Sequence, residues 1–201
     1  MPIDLVRNAY ANRASEYIDV LSSIEHAAQT DREYLLAWAR SIDGRLLDIG
    51  CGPGQWTEYF REAGLDVEGL DPVEAFIDGA RSRYPRARFR VGRSEELDVP
   101  NGSVGGALLW FSLIHTDPEL IAKPLFELAR CIRPGGSVAV GFFDGPAGEP
   151  FDHAIATAFY WSVDALTERL KRAGFTVTDA RTRQDPGVRR QGVIVASRDS
   201  G

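Results

Sequence analysis

The sequence predicts a doubly wound α/β fold built on a mostly parallel sheet. Three observations carry that reading. From residue 45 onward, short apolar runs alternate with longer stretches of helical periodicity. Parallel strands need such crossovers, because tight hairpins cannot join them. The first strand-like run ends in a loop holding Gly50, Gly52 and Gly54, and a helical pattern follows at once. The 201 residues are 44% apolar and 26% charged, ordinary globular usage and enough to fill one core.

Taken in chain order, residues 1–42 read as helical. Leu5, Val6, Tyr10, Tyr17, Val20 and Leu21 recur at mixed three- and four-residue intervals, and Tyr34, Leu35, Trp38 and Ile42 follow, with Asp31 as N-cap. A strand over 45–49 leads to a helix over 55–63, whose Trp56, Tyr59, Phe60 and Ala63 share one face before Gly64 ends it. Strand 66–70, helix 73–83 and strands 87–91 and 104–111 come next. Asp117-Pro118 supplies a cap and first-turn proline for a helix over 118–132, which Pro124 should kink and Pro134-Gly135-Gly136 should stop. Strand 137–143 follows, then a Gly- and Pro-rich stretch at 144–150. Ser162 caps a last helix ending at Gly174, and strands 175–182 and 192–197, joined through Asp185-Pro186-Gly187, read as an antiparallel hairpin.

Composition narrows the function. A net charge of −6 argues against a surface built to hold nucleic acid. Of the 23 basic residues only Lys123 and Lys171 are lysines, a bias that genome composition explains. Six arginines lie between Arg81 and Arg93, but Glu95, Glu96 and Asp98 come next, the pattern of a solvated face. Cys51 and Cys131 stand far apart with no CxxC or Cys/His cluster, so neither a disulfide framework nor a metal site is expected. The opening Met-Pro-Ile-Asp is no basic-then-apolar signal segment, and no apolar run approaches ~18 residues. The expectation is a reduced cytoplasmic compartment, with no membrane contact.

Chemistry concentrates in LLDIGCGPGQWTEYF, Leu46 to Phe60. Glycines there permit positive φ and let main-chain N–H groups approach a ligand without a Cβ in the way. In open α/β sheets, ligands bind beyond the carboxyl ends of the strands. A phosphate loop would need GxxxxGK[ST], which is absent. A dinucleotide loop would read GxGxxG, but the third glycine here comes one residue early, and Asp48 would repel a pyrophosphate. A carboxylate suits a cationic group or an amine better. Asp71 ends the next strand, 17 residues after Gly54, where a carboxylate can accept from two ribose hydroxyls; it could equally cap the helix that begins past Pro72.

With these residues the sequence resembles the class I S-adenosylmethionine-dependent methyltransferases. The resemblance rests on LDIGCGPG, GLDP, SEELDVPNGSV, ALLWFSLIHTDPEL and LARCIRPGGSVAVGFF, across about residues 44–143, and on WSVDALTERLKRAGF beyond. It implies a Rossmann-like, seven-stranded sheet with six parallel strands and the last inserted antiparallel. It also implies S-adenosylmethionine as cofactor, leaving as S-adenosylhomocysteine. Gly50, Cys51, Gly52 and Gly54 would contact its amino-acid portion through their backbone, with Gln55 and Trp56 beside them. Asp48 would take the ammonium, Asp71 the ribose, and Pro72 would pack on the adenine. Arg93, Ser94 and Glu95 would lie along the adenine, and Trp110 beside the sulfonium. Many relatives carry an Asp where Arg93 stands; guanidinium only donates, so an adenine amino group must look to Ser94, Glu95 or main chain. An N-terminal lid helix resembling YxxxAxxY would bring Tyr10, Ala14 and Tyr17 over the site.

Methyl transfer needs alignment and exclusion of water, and a general base only where the acceptor loses a proton. His115, in SLIHTDP, is the candidate base, or it packs over the cofactor. His153 reads as a surface residue or a substrate contact, and His26 is given no role. Phe142, Phe143, Tyr160 and Trp161 fall in segments that would roof the pocket. There is no [DN]PP[YF] and no Pro-Cys pair, which leaves a small-molecule O, N or C acceptor. The other readings are a nicotinamide-dinucleotide oxidoreductase and a catalytically silent S-adenosylmethionine-binding module. The expected organisation is one domain, monomeric or homodimeric. Residues 1–42 form a helical lid, 43–143 the cofactor-binding core, 144–161 a substrate-side arch, and 162–201 a C-terminal helix and β-hairpin. No length remains for a separate substrate domain.

Overall fold

A parallel strand covered on both faces reads as an unbroken apolar run. The computed structural model, which describes residues 10–11 and 23–200, builds its sheet on such a run. β1 (Leu46–Ile49) is buried at every position. A short 3₁₀ turn at Ile24–His26 and α1 (Gln29–Arg40) precede it. After it come α2 (Gln55–Glu62), β2 (Val67–Asp71), α3 (Glu74–Arg83), β3 (Arg88–Val91), β4 (Val104–Trp110), α4 (Ala122–Cys131) and β5 (Ile132–Phe143). A two-residue pair, β6 (Pro150–Phe151) and β7 (Ala158–Phe159), leads to α5 (Val163–Arg172), β8 (Phe175–Arg183) and β9 (Gln191–Arg198).

The seven-stranded sheet runs β3-β2-β1-β4-β5-β9-β8. β1 pairs in parallel with β2 and β4, and β9 pairs antiparallel with both β5 and β8, so β9 alone opposes the other six. Strand alternation divides the core into two layers. Leu46, Leu108 and Val195 meet Leu35 and Trp38 of α1 and Trp56 and Phe60 of α2. Leu47, Leu109, Val140 and Phe142 meet Leu125 and Leu128 of α4 and Leu166 and Leu170 of α5 on the opposite face. At the far edge α3 packs Ile77 and Ala80 against Phe89 of β3. Among the described residues no helix is long and apolar enough to cross a membrane.

Several sequence expectations need correction. Asp31 is no N-cap: α1 begins behind Ala28 and Asp31 sits in its first turn, ion-paired with Arg183. Residues 29–40, expected within a lid, are a layer helix with an apolar face on the sheet. The helix read over 118–132 starts only at Ala122. Asp117 instead takes the Glu119 N–H at 3.0 Å in a preceding turn. Pro124 therefore falls in the first turn, where a backbone N–H has no helical partner to lose, and it kinks nothing. Pro134-Gly135-Gly136 does not lie between helix and strand; β5 starts directly at Ile132 and passes a bulge there, with Val104 opposite Ile132 and Gly106 opposite Ser137. Of the aromatics expected to roof the pocket, Phe142 and Trp161 are core residues, 2% and 3% exposed. Tyr17 lies outside the described residues.

Pro124→Ala is expected to change unfolding stability by less than about 1 kcal/mol in urea titrations. A proline inside the helix would instead release about 3 kcal/mol on removal.

Candidate functional site

The strand order reverses between β1 and β4, so the chain leaves these neighbours in opposite directions and opens a crevice at their carboxyl ends. The loop after β1 turns through three left-handed glycines, Gly50 (φ 71), Gly52 (φ 51) and Gly54 (φ 87). The N–H groups of Gly50 and Cys51 donate to the Leu70 carbonyl at 2.7 and 3.0 Å. That of Gly52 donates to Asp71 Oδ2 at 3.0 Å, and Val73 N–H donates to Asp71 Oδ1 at 2.8 Å. Asp71 therefore does not cap α3, which begins behind Val73 with no side-chain cap; its carboxylate instead ties the glycine turn to the segment before that helix.

The three glycines differ in purpose. A Cβ on Gly50 would stand 2.3 Å from Ser112 Cβ, so this position lets the β1 and β4 loops touch. Around a Cβ on Gly52 nothing lies within 4 Å; it faces open space. A Cβ on Gly54 would meet the Phe89 ring at 2.7 Å, making it a packing glycine behind the wall of the crevice.

Asp48 and Asp71 are 2% and 6% exposed. Burial, reinforced by the charge of Asp71, pushes the Asp48 carboxyl up to about 7 against the bond from Thr57 Oγ1 at 2.6 Å. Burial likewise lifts Asp71 to about 6, with the Val73 and Gly52 N–H groups pulling the other way. Two carboxyls raised in this way favour a positive or hydrogen-bond-donating partner, which restores the ionised form.

The crevice widens into a cavity of about 1040 Å³, at the upper end of the range of small-molecule sites and roomy enough for two ligands side by side. Asp48, Gly50, Cys51, Gly52, Gln55, Trp56, Asp71, Pro72, Arg93, Glu95, Trp110 and His115 all line it. Gly54 and Ser94 do not. The wall also holds buried polar atoms with no hydrogen-bond partner among the described residues: Gln55 Oε1, Glu95 Oε2, Ser112 Oγ and His153 Nδ1. Such atoms are rare unless a ligand or water completes them. With the acid-tipped strands and the open side of Gly52, they fit a ligand carrying an amine, hydroxyls and a ring amino group.

The far end of the cavity is built from distant segments. His115 Nδ1 lies 2.8 Å from the Thr157 carbonyl, and its Nε2 lies 2.8 Å from the Tyr10 hydroxyl. A carbonyl only accepts, so Nδ1 carries the proton and Nε2 accepts from Tyr10. Burial lowers the His115 pKa. His153 is half-buried and lines the cavity: its ring centroid is 5.1 Å from that of His115, and burial brings its pKa down to about 4. His26, given no role from sequence, lines the cavity too. Phe143, expected among the roofing aromatics, lines the wall, and Phe111, Ser112, Arg183 and Gln191 occupy wall positions that local patterns did not mark.

A doubly wound sheet with a glycine loop between two acid-tipped strands defines a nucleotide-type binding fold. The methyltransferase domain family matches residues 46–136. The demethylmenaquinone methyltransferase of Renibacterium salmoninarum is 31% identical over 174 residues, 83% of this chain and 70% of that protein. An uncharacterised methyltransferase of Mycobacterium bovis is 34% identical over 96 residues, 48% of this chain and 38% of its own. The Burkholderia thailandensis 1,6-didemethyltoxoflavin-N1-methyltransferase, solved with 1,6-didemethyltoxoflavin and S-adenosylhomocysteine, superposes with a TM-score of 0.82 at 25% identity, covering 98% of this chain and 89% of that one. The chain belongs to the S-adenosylmethionine-dependent methyltransferase family, and its fold is that of class I. It spans about half the length, or less, of several of the curated relatives it matches.

The raised carboxyls set the sign of a pH effect. A folded-state pKa above the unfolded value adds stability at low pH, and that contribution is lost as pH rises from about 4 through 7. Asp48→Asn keeps the acceptor for Thr57 and removes the buried ionisation. In urea unfolding without ligand it should therefore gain on the parent protein between pH 5 and pH 8, and a constant difference would contradict the assignment.

Proposed function

We propose that this protein is a methyltransferase that uses S-adenosylmethionine to methylate a small-molecule O, N or C acceptor. The single observation that carries this reading is the shared cavity: the acid-tipped β1 and β2 with the open face of Gly52 at one end, and the Tyr10–His115 pair at the other. Bound there, the cofactor supplies a methyl group on a positively charged sulfur, already activated for displacement. Asp48 accepts from its ammonium and Asp71 from the ribose hydroxyls, while the open face of Gly52, on a turn whose N–H groups are already donated to Leu70 and Asp71, leaves room for the amino-acid portion. Glu95, whose Oε2 is buried and unpartnered among the described residues, takes the adenine amino group in place of the Asp that Arg93 displaces. Pro72 packs on the base and Trp110 borders the reacting end. Gly54 supports α2 from behind, and Ser94 stands off the wall.

His115 acts as proton acceptor. With Nδ1–H held on the Thr157 carbonyl, Nε2 is the basic atom, and the Tyr10 hydroxyl stands in front of it. The acceptor's proton passes to Tyr10 Oη as Tyr10 gives its own to Nε2, leaving an imidazolium steadied by Thr157. Relatives disagree on the acceptor. Their names point to demethylmenaquinone and to 1,6-didemethyltoxoflavin. A cytoplasmic, one-domain protein agrees with this reading, with Tyr10 and the 144–161 segment meeting at His115.

Calorimetry with S-adenosylhomocysteine and, separately, NADH tests the cofactor. Binding of NADH alone would overturn the proposal. Asp71→Ala should weaken S-adenosylhomocysteine at least tenfold, about 1.4 kcal/mol, and unchanged affinity would remove the ribose assignment. Affinity should also rise from pH 5 to pH 8 as Asp48 and Asp71 ionise, because the ionised carboxylates are the forms that accept from an ammonium.

A further inference from the structure

Successive strand residues face opposite sides, and at the ends of β4 and β5 that alternation separates core from cavity. Leu109 and Phe142 are buried in the core, at 0% and 2% exposure. Trp110 and Phe143, one residue further, are only partly covered and line the cavity. Phe111 follows with φ 55, a conformation an aromatic residue rarely adopts, and its ring joins the same wall. Ring centroids of Phe111 and Phe143 are 4.9 Å apart, those of Phe143 and His153 6.2 Å, and those of His153 and His115 5.1 Å. Phe151 backs Phe143 at 5.3 Å in an edge-to-face contact. The wall is thus a continuous set of tilted rings at the end of the cavity that carries Tyr10 and His115.

An aliphatic acceptor would be served by leucine and isoleucine, which dominate the core a few ångströms away. A wall of rings adds a preference that branched aliphatics lack, because flat π-systems meet it edge-to-face or offset-stacked. The unpartnered polar atoms here, Ser112 Oγ and His153 Nδ1, are hydrogen-bonding groups set in an apolar surface, suited to heteroatoms on a ring. Arg183, which lines the cavity with Arg93 and Lys123, is already committed. It ion-pairs with Asp31 and Asp185 and donates to Gln191 at 2.8 Å, so nothing about it calls for an anionic acceptor. Ser112 also abuts Gly50, which places the ring compartment directly beside the glycine loop.

We propose that this compartment takes a flat aromatic or heteroaromatic acceptor, its ring against Phe111 and Phe143 and its N–H or O–H turned to the Tyr10 hydroxyl. That it is the methyl acceptor rests on the methyltransferase reading above; that the compartment selects flat rings does not. The test uses the protein saturated with S-adenosylhomocysteine and two probes of the same fused-ring skeleton, flat 2-naphthol and puckered decahydro-2-naphthol, titrated by calorimetry. The saturated probe is the more apolar, so plain hydrophobic partition would favour it. 2-Naphthol should nonetheless bind at least tenfold tighter. Phe143→Leu should weaken 2-naphthol about three- to tenfold with S-adenosylhomocysteine affinity unchanged, and Phe111→Leu, on a turn outside the sheet, should do the same. Equal binding of the two probes, or 2-naphthol affinity untouched by both variants, would overturn the proposal while leaving the cofactor assignment standing. Selective binding of 2-naphthol to a protein that ignores S-adenosylhomocysteine would keep the ring compartment and discard the methyltransferase reading.

Discussion

The hydrogen bond from the Gly52 N–H to Asp71 is the interaction on which the site depends. It ties the turn after β1 to the end of β2, and the paired donation of Gly50 and Cys51 to Leu70 holds the same turn one residue earlier. Without these ties a loop of three left-handed glycines would be a loose connection, since glycine has the most conformational freedom to lose. With them, Gly52 faces the cavity and Gly50 lets Ser112 of the next crossing come close. One carboxylate then serves three structural ends: it orders the turn, receives Val73 at the start of the following segment, and still borders the cavity.

The cost of that arrangement is electrostatic. Asp48 and Asp71 are both buried at neighbouring strand ends, and the charge of Asp71 makes Asp48 harder still to ionise in a low-dielectric setting. Thr57 and two backbone N–H groups offset part of this, but not all, as the upward displacement of both carboxyls records. A site whose acids are under-compensated in the folded chain is prepared for a ligand that brings the missing positive charge. Affinity and stability are then opposed: what makes the empty fold less stable near neutral pH makes the bound state more favourable.

How much of this was legible from sequence depends on the range of the interaction. β1, β2 and the glycine loop lie within one stretch of 26 residues, Leu46 to Asp71, and local rules found their order, their ends and their acids. Pro124 was misjudged because the penalty for proline depends on its distance from the helix start, and the Asp117-Pro118 signal belonged to a turn instead. Gly54 was counted as a ligand contact because spacing reveals that a Cβ is missing but not which way it would point. The far end of the cavity was the least legible. Tyr10 meets His115 across 105 positions, and His153 reaches it from a segment with two short strands and no periodicity. Pairings of that kind follow from topology, which no window of sequence contains.

The 144–161 segment shows why topology matters for chemistry here. Its strands β6 and β7 are too short to order themselves, yet the segment is fastened at several points. Phe159 N–H donates to the Ile114 carbonyl at 2.8 Å, Trp161 N–H to Phe143 at 2.9 Å, and Trp161 itself is buried in the core beneath β5. The first of these bonds anchors the segment to the residue beside His115, and Thr157, two residues earlier, is the group that holds His115 Nδ1. The same segment therefore brings His153 to the cavity wall and decides which imidazole nitrogen is basic. A displacement of the segment large enough to admit a bulky partner would release the Thr157 carbonyl and free the imidazole to take the other tautomer. If His115 takes the acceptor's proton as proposed, its basic nitrogen is set by that one backbone carbonyl and hence by the segment staying in place.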